Sequence, residues 1–253
     1  MGMLETIQTG RENRPPRILV YGQEGVGKST FGASAPAPIF IQTEDGLGEI
    51  DCHRFPLAKT FADVVNELTA LRDEPHEYKT VVIDSLDWLE RLIFDEVCKE
   101  YGVRSIAKAD GGYGKGYVDA VVYWRILLNL LDELRDKRGM MYILLAHAKI
   151  ERFEDPENMS YDRYVPRLNK NAANLLIEWV DAVLFATKRM RVSKDGDNRA
   201  IATPIGADGG ERVLRSNGSP ACRAKNRFCL PNEIPLTWEA FIQAYRNPVA
   251  TAS

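Results

Sequence analysis

The chain has 253 residues, 45% of them apolar and 27% charged, with a formal net charge of −3. That composition reads as a water-soluble globular fold, and the slight acidity excludes a whole-surface basic field of the kind that attracts nucleic acid. No apolar run approaches the ~18 residues of a membrane helix, so no membrane partner is expected. The four cysteines (Cys52, Cys98, Cys222, Cys229) have no metal-ligand spacing and read as free thiols in a reducing cytosol.

Residues 1–16 are polar, carry Arg11, Arg14 and Pro15-Pro16, and lack an apolar signal core, so they read as a flexible arm. Arg17 to Tyr21 is a buried strand, and Ser29 to Ala33 starts a short helix that Pro36 and Pro38 end. Pro38 to Gln42 is a second strand and Ile50 to Phe55 a third, shorter one. Thr60 caps a helix to about Arg72, with Phe61, Val64, Val65, Leu68 and Leu71 on one face. Thr80 to Ser85 is the most strand-like run, followed by a helix from Leu86 to Tyr101. Gly102 to Tyr117 reads as a glycine-rich loop, Val118 to Asp136 as a helix, and Met140 to Ala146 as a buried strand. A second, charged and aromatic loop runs from Lys149 to Leu168. Lys170 to Val180 is a helix, Asp181 to Thr187 a strand, and Lys188 to Thr203 a hairpin about Asp195-Gly196-Asp197. Short strands are expected at Arg212 to Arg215 and around Arg227, then a helix from Trp238 to Arg246. The division is an arm (1–16), one domain (17–246) and a disordered tail (247–253). Strands alternating with helices predict an α/β fold, a mostly parallel twisted sheet with helices on both faces and a C-terminal β-hairpin.

Between the first strand and its helix lies Gly22-Gln23-Glu24-Gly25-Val26-Gly27-Lys28-Ser29-Thr30, which satisfies G-x-x-x-x-G-K-[ST] in the required strand–loop–helix context. The glycines let successive N–H groups turn toward phosphate oxygens, and the helix start adds its positive end. Lys28 would reach the β- and γ-phosphates of ATP, and Ser29 would give a hydroxyl to Mg²⁺. Asp84 ends the run Val81-Val82-Ile83 and can hold Mg²⁺ opposite Ser29; the alternative is a helix cap. Glu44 follows the second strand, where a carboxylate can orient or deprotonate a water; Asp45 competes for that role. His147 follows the strand Met140–Ala146 and is a candidate reporter of nucleotide state, or a satisfied structural histidine. In the two long loops, Arg104, Lys108 and Lys115, then Arg152, Arg163 and Arg167, stand among tyrosines and Phe153, a composition suited to single-stranded nucleic acid. Glu151, Glu154, Asp155 and Glu157 oppose that reading in the second loop.

The order of phosphate loop, Phe40-Ile41-Gln42-Thr43-Glu44, Val81-Val82-Ile83-Asp84-Ser85, two loops and a late hairpin resembles the RecA-like P-loop NTPase core over about residues 17–203. The segments AHAKIE, GYGKGY and AKNRFCLP resemble short phage-encoded RecA-like proteins of single-strand annealing and recombination. The resemblance implies ATP hydrolysis with Mg²⁺ between subunits of a ring or filament, in a host cytoplasm, and DNA contact through the two loops. It also implies that basic residues of the C-terminal region, here Lys225 or Arg227, reach a neighbour's γ-phosphate; should neither do so, Arg189 and Arg191 at the start of the hairpin are the next candidates. Two departures stand out: His147 replaces the family's usual glutamine, and no separate N-terminal domain is expected. The expected partners are single-stranded DNA, further copies of the chain and a single-strand-binding protein. Two other functions remain open at this point, a hexameric DNA motor or packaging loader and a nucleotide-gated regulatory protein; Glu44 argues against the second.

Overall fold

A computed structural model describes residues 2–7, 9–10, 14–155, 159–194, 200–206 and 210–249 of the chain. The first half runs β1 (Arg17–Gly22), α1 (Lys28–Ala33), β2 (Pro38–Gln42), β3 (His53–Arg54), α2 (Phe61–Asp73), β4 (Thr80–Asp84), α3 (Leu86–Glu100) and α4 (Lys115–Arg138). The second half runs β5 (Met141–Phe153), β6 (Tyr161–Pro166), α5 (Lys170–Trp179), β7 (Ala182–Lys188), β8 (Met190–Lys194), β9 (Ala200–Pro204), β10 (Arg212–Arg215), β11 (Lys225–Asn226), β12 (Glu233–Pro235) and α6 (Trp238–Arg246). The starts follow local chemistry. Thr60 accepts a hydrogen bond from the Asp63 N–H while the Asp63 carboxylate accepts one from the Thr60 N–H, a reciprocal cap that fixes the first turn of α2.

The main sheet has the order β12-β10-β7-β1-β5-β4-β2-β3. The stretch from β7 to β3 is parallel, and β10, β12 and β11 join antiparallel beyond or beside β7. Alternate residues of each strand face opposite sides. Leu19, Tyr21, Ile41, Ile83, Leu144 and Phe185 meet α2, α3, α4 and α5 on one face, whereas Ile18, Val20, Phe40, Val82, Leu145 and Leu184 meet α1 and α6 on the other. Burial on both faces is why these strands read as unbroken apolar runs. The fold is therefore α/β with a mostly parallel mixed sheet between two helical layers.

The structure corrects the second loop. β5 does not stop at Ala146; it runs on to Phe153, and its distal half pairs with β6 from Ala148↔Pro166 to Phe153↔Tyr161. Lys149 to Leu168 is thus largely a two-stranded ribbon, and His147 lies within a strand instead of closing one. The ribbon escapes a hydrophobicity reading because its outer part is wet: Ile150 is 63% exposed, and Glu151 and Arg152 follow it in the open, while burial is confined to its root, at half-buried Tyr164 and buried Val165. The first loop is also shorter than expected. A 3₁₀ turn forms at Ile106–Gly111, and Lys115 and Tyr117 belong to the first turn of α4, where Tyr117 packs edge-on against Phe94. β3 is limited to two residues, and β12 was unforeseen. β8 and β9 form the expected hairpin; its turn, Asp195-Gly196-Asp197, lies outside the described residues, as do Arg11, Glu157 and residues 250–253 of the tail.

Candidate active site

The carboxyl ends of the parallel strands open on a cleft of about 360 Å³ lined by Glu24, Gly25, Gly27, Lys28, Ser29, Thr30, Glu44, Gly46, Ile50, Asp84, His147 and Arg212. β1 delivers the loop 22–30. Two of its glycines are required by geometry. A Cβ at Gly22 would stand 2.3 Å from the Ala186 carbonyl oxygen of β7, and Gly27 begins α1 with φ +106°. Lys28 is buried and donates to the carbonyls of Gly22 (3.2 Å) and Gln23 (2.9 Å), which centres the ammonium in its own loop. Burial pushes its pKa down, while Asp84 and Glu24 pull it back up.

β4 delivers Asp84, separated from β10 by the three strands β7, β1 and β5. The Ser29 hydroxyl donates to Asp84 Oδ2 at 2.5 Å, so the loop and the second strand end are already joined where a cation would sit. Burial raises the Asp84 pKa against the opposing pull of Ser29 and Lys28. A hydroxyl beside a buried carboxylate is a hard-oxygen donor pair that fits Mg²⁺, and the curled glycine loop with its central ammonium fits a polyphosphate.

β2 delivers Glu44. The strand ends of β2 and β4 are pinned together: the Thr43 N–H donates to the Asp84 carbonyl (2.9 Å), and the Thr43 hydroxyl donates to the Ser85 carbonyl (2.7 Å). The Ser85 hydroxyl then donates to Glu44 Oε2 at 3.0 Å. Glu44 lines the cleft, while Asp45 is exposed and lies outside it, so geometry separates the two acids that sequence could not.

β5 delivers His147, which is buried. Its Nδ1 lies 3.1 Å from Asp87 Oδ2 and 3.9 Å from Glu44 Oε2, and its N–H donates to Asp87. Arg167, at the end of the ribbon, donates through Nε and Nη2 to Asp87 and through Nη1 to Glu24 in the phosphate loop. Burial alone would raise the Asp87 carboxyl, but His147 and Arg167 outweigh it and hold it well below the usual carboxylate range. Arg167 is therefore tied to Asp87 and to the loop 22–30 rather than standing among free loop cations. Asp87 was missed in the sequence because a lone acid one residue into a helix looks like a surface residue.

The remaining candidates are dispersed. Arg104, Lys108 and Lys115 are exposed and outside the cleft; Lys115 lies 3.5 Å from Asp110. Arg152 is exposed on the ribbon, and the Arg163 guanidinium stacks over Phe153 at 4.0 Å. Lys225 and Arg227 lie at the opposite end of the sheet from the phosphate loop, since Lys225 pairs with Val183 near the start of β7. The Lys225 ammonium donates to the carbonyls of Ile177, Glu178 and Val180 and caps the end of α5. Arg227 is mostly exposed, 3.8 Å from Asp181. Arg189 pairs with Glu211 and Glu233. Arg212, which sequence did not single out, enters the cleft from β10.

Residues 14–228 match the family model described as AAA domain. A stretch of 188 residues is 26% identical to the SPbeta prophage-derived uncharacterized protein YorG of Bacillus subtilis (strain 168), covering 73% of this chain and 53% of that relative. The matched stretch spans about half the length of that relative.

Proposed function

Because this chain belongs to the AAA domain family, we propose that it is a Mg²⁺-dependent ATPase that acts on single-stranded DNA in phage recombination, as one subunit of a homo-oligomer. The observation that supports the ATPase reading most is the convergence of Lys28, the Ser29–Asp84 pair and Glu44 on one cleft from three strand ends. Lys28 exchanges its loop carbonyls for β- and γ-phosphate oxygens. Ser29 and Asp84 are the residues that would hold Mg²⁺, whose charge offsets that of the transferring phosphoryl group. Glu44, steadied by Ser85, orients a water and accepts its proton.

The DNA reading draws on connectivity. The ribbon of β5 and β6 carries Arg152, Arg163, Phe153 and Tyr161, a mixture of charge and rings suited to single strands. It is tied to the cleft at both roots, through His147 to Asp87 and through Arg167 to Asp87 and Glu24. The prophage origin of the relative supports a phage setting. A single-strand-binding protein is the further partner this setting suggests.

The deciding experiment is phosphate release with and without single-stranded DNA, beside strand annealing. The expected result is Mg²⁺-dependent hydrolysis, lost in Lys28→Ala, that DNA accelerates. No turnover at saturating Mg²⁺ and ATP rejects the ATPase reading. Turnover indifferent to DNA, with no annealing, rejects the recombination reading.

A further inference from the structure

Arg212 stands apart from the arginines around it. Arg189 is engaged by Glu211 and Glu233, and Arg215 lies 3.5 Å from Glu233. Glu211, the acid next to Arg212 in sequence, is turned to Arg189 instead. Among the described residues the Arg212 side chain has no hydrogen-bond or ion-pair partner, yet it lines the nucleotide cleft. A Cβ built on Gly27 would be 3.1 Å from its Nη1, so the guanidinium lies against the phosphate loop.

The backbone puts it there firmly. Arg212 pairs with Lys188, two residues beyond Ala186, the β7 partner of Gly22. Its carbonyl accepts from the Leu236 N–H at 2.9 Å on the other side. It therefore stands just above the strand ends, level with the loop. Leu214, two residues on and so on the same face of β10, packs with α1 and α6, which puts Arg212 on the face of α1 as well.

The flank matters as much as the height. Glu44 and Asp84 approach from β2 and β4, on the β5 side of β1; Arg212 approaches from β10, on the β7 side. The water-activating and cation-holding groups mark the γ-phosphate end, so a guanidinium on the far flank meets the other end of the phosphate chain. We propose that Arg212 is a nucleotide-binding residue that clamps the α- and β-phosphates within its own subunit, common to ATP and ADP and separate from the γ-phosphate chemistry. This rests on the nucleotide reading of the cleft given above.

The test is equilibrium binding of fluorescent ATP and ADP analogues to the wild type, Lys28→Ala, Arg212→Ala and Arg212→Lys, with steady-state hydrolysis alongside. The substitution touches an exposed side chain while β10 is held by backbone pairing, so thermal melting without nucleotide should match the wild type. Losing a charge-assisted contact should weaken both nucleotides by about 10- to 100-fold. Arg212→Lys should recover part of that loss, because a point charge replaces a fork. The loss should fall on Kd and KM rather than on kcat. Wild-type affinity for both nucleotides in Arg212→Ala, with Lys28→Ala defective, overturns the role of Arg212 and leaves the site intact. A loss confined to the ATP analogue places the guanidinium at the γ-phosphate and overturns the assignment. Failure of the wild type to bind either analogue overturns the nucleotide reading and this one with it.

Discussion

At Glu44 a single oxygen separates binding from turnover. Glu44→Gln keeps the Ser85 contact but cannot accept a proton, so ATP binding should persist while hydrolysis falls on the order of 10²–10⁴-fold. Asp45→Asn, outside the cleft, should leave both near wild type; the measurement is analogue binding beside phosphate release. Sequence placed both acids at a strand end but could not say which one turns inward, because that depends on how Thr43 and Ser85 lock two strands together. Glu90 carries a separate, pH-dependent prediction. Burial pushes its carboxyl up to about 7, against the pull of the Asn169 N–H and Lys149. The native state thus holds a proton that the unfolded chain releases nearer pH 4.5, so folding stability falls as pH rises from there to about 7 and levels off above it. Glu90→Gln should flatten that part of the profile, by roughly 1–3 kcal/mol between pH 5 and 8 in urea unfolding. An unchanged slope would show that Glu90 titrates normally.

The elements were legible wherever burial imposed a period. α2 and α6 and the strands β1, β2 and β4 could be read nearly to the residue, since each shows one apolar face or an unbroken apolar run. The outer part of the ribbon of β5 and β6 was not legible, because cross-strand pairing rather than burial holds it there, and pairing between Glu151 and Arg163 leaves no local signature. Nor was Arg212, because the phosphate loop it lies against is far away in sequence. The ribbon gives a prediction that separates its cations. Arg152→Ala with Arg163→Ala should weaken single-strand binding and lower its salt dependence between 50 and 200 mM, while hydrolysis without DNA stays near wild type. Arg167→Ala should instead change hydrolysis without DNA, because it releases both Asp87 and Glu24. Fluorescence anisotropy and phosphate release distinguish the two; equal effects on hydrolysis would merge them into one group.

For the whole molecule, the cleft leaves the γ-phosphate end short of cations if Arg212 serves the other end. Lys28 is then the remaining lysine or arginine lining it among the described residues. Assembly is the proposed remedy, and the structure redirects the choice of residue: Lys225 is occupied by α5, whereas Arg227 is mostly exposed at the far end of the sheet, with a long ion pair to Asp181. Arg227→Ala and Glu44→Gln should each be inactive alone and partly active when mixed, since some interfaces would join an intact cleft to an intact arginine. Inactive mixtures in which hetero-oligomers demonstrably form would eliminate Arg227, and Arg191 would be tested next. Lys225→Ala should act differently, costing about 1–2 kcal/mol of stability through the uncapped end of α5, readable in a thermal melt. The layer formed by α1 and α6 has a consequence for biosynthesis. Phe31, on the six-residue helix that follows the phosphate loop, is covered by Trp238 and Phe241 of α6 at ring separations of 5.6 and 5.9 Å. The loop precedes its cover in the chain, with strands β2 to β12 between them, so it leaves the ribosome first. A nascent chain displays the phosphate loop long before it can hold it in place, so a ribosome stalled ahead of Trp238 would carry a nucleotide motif without a nucleotide site.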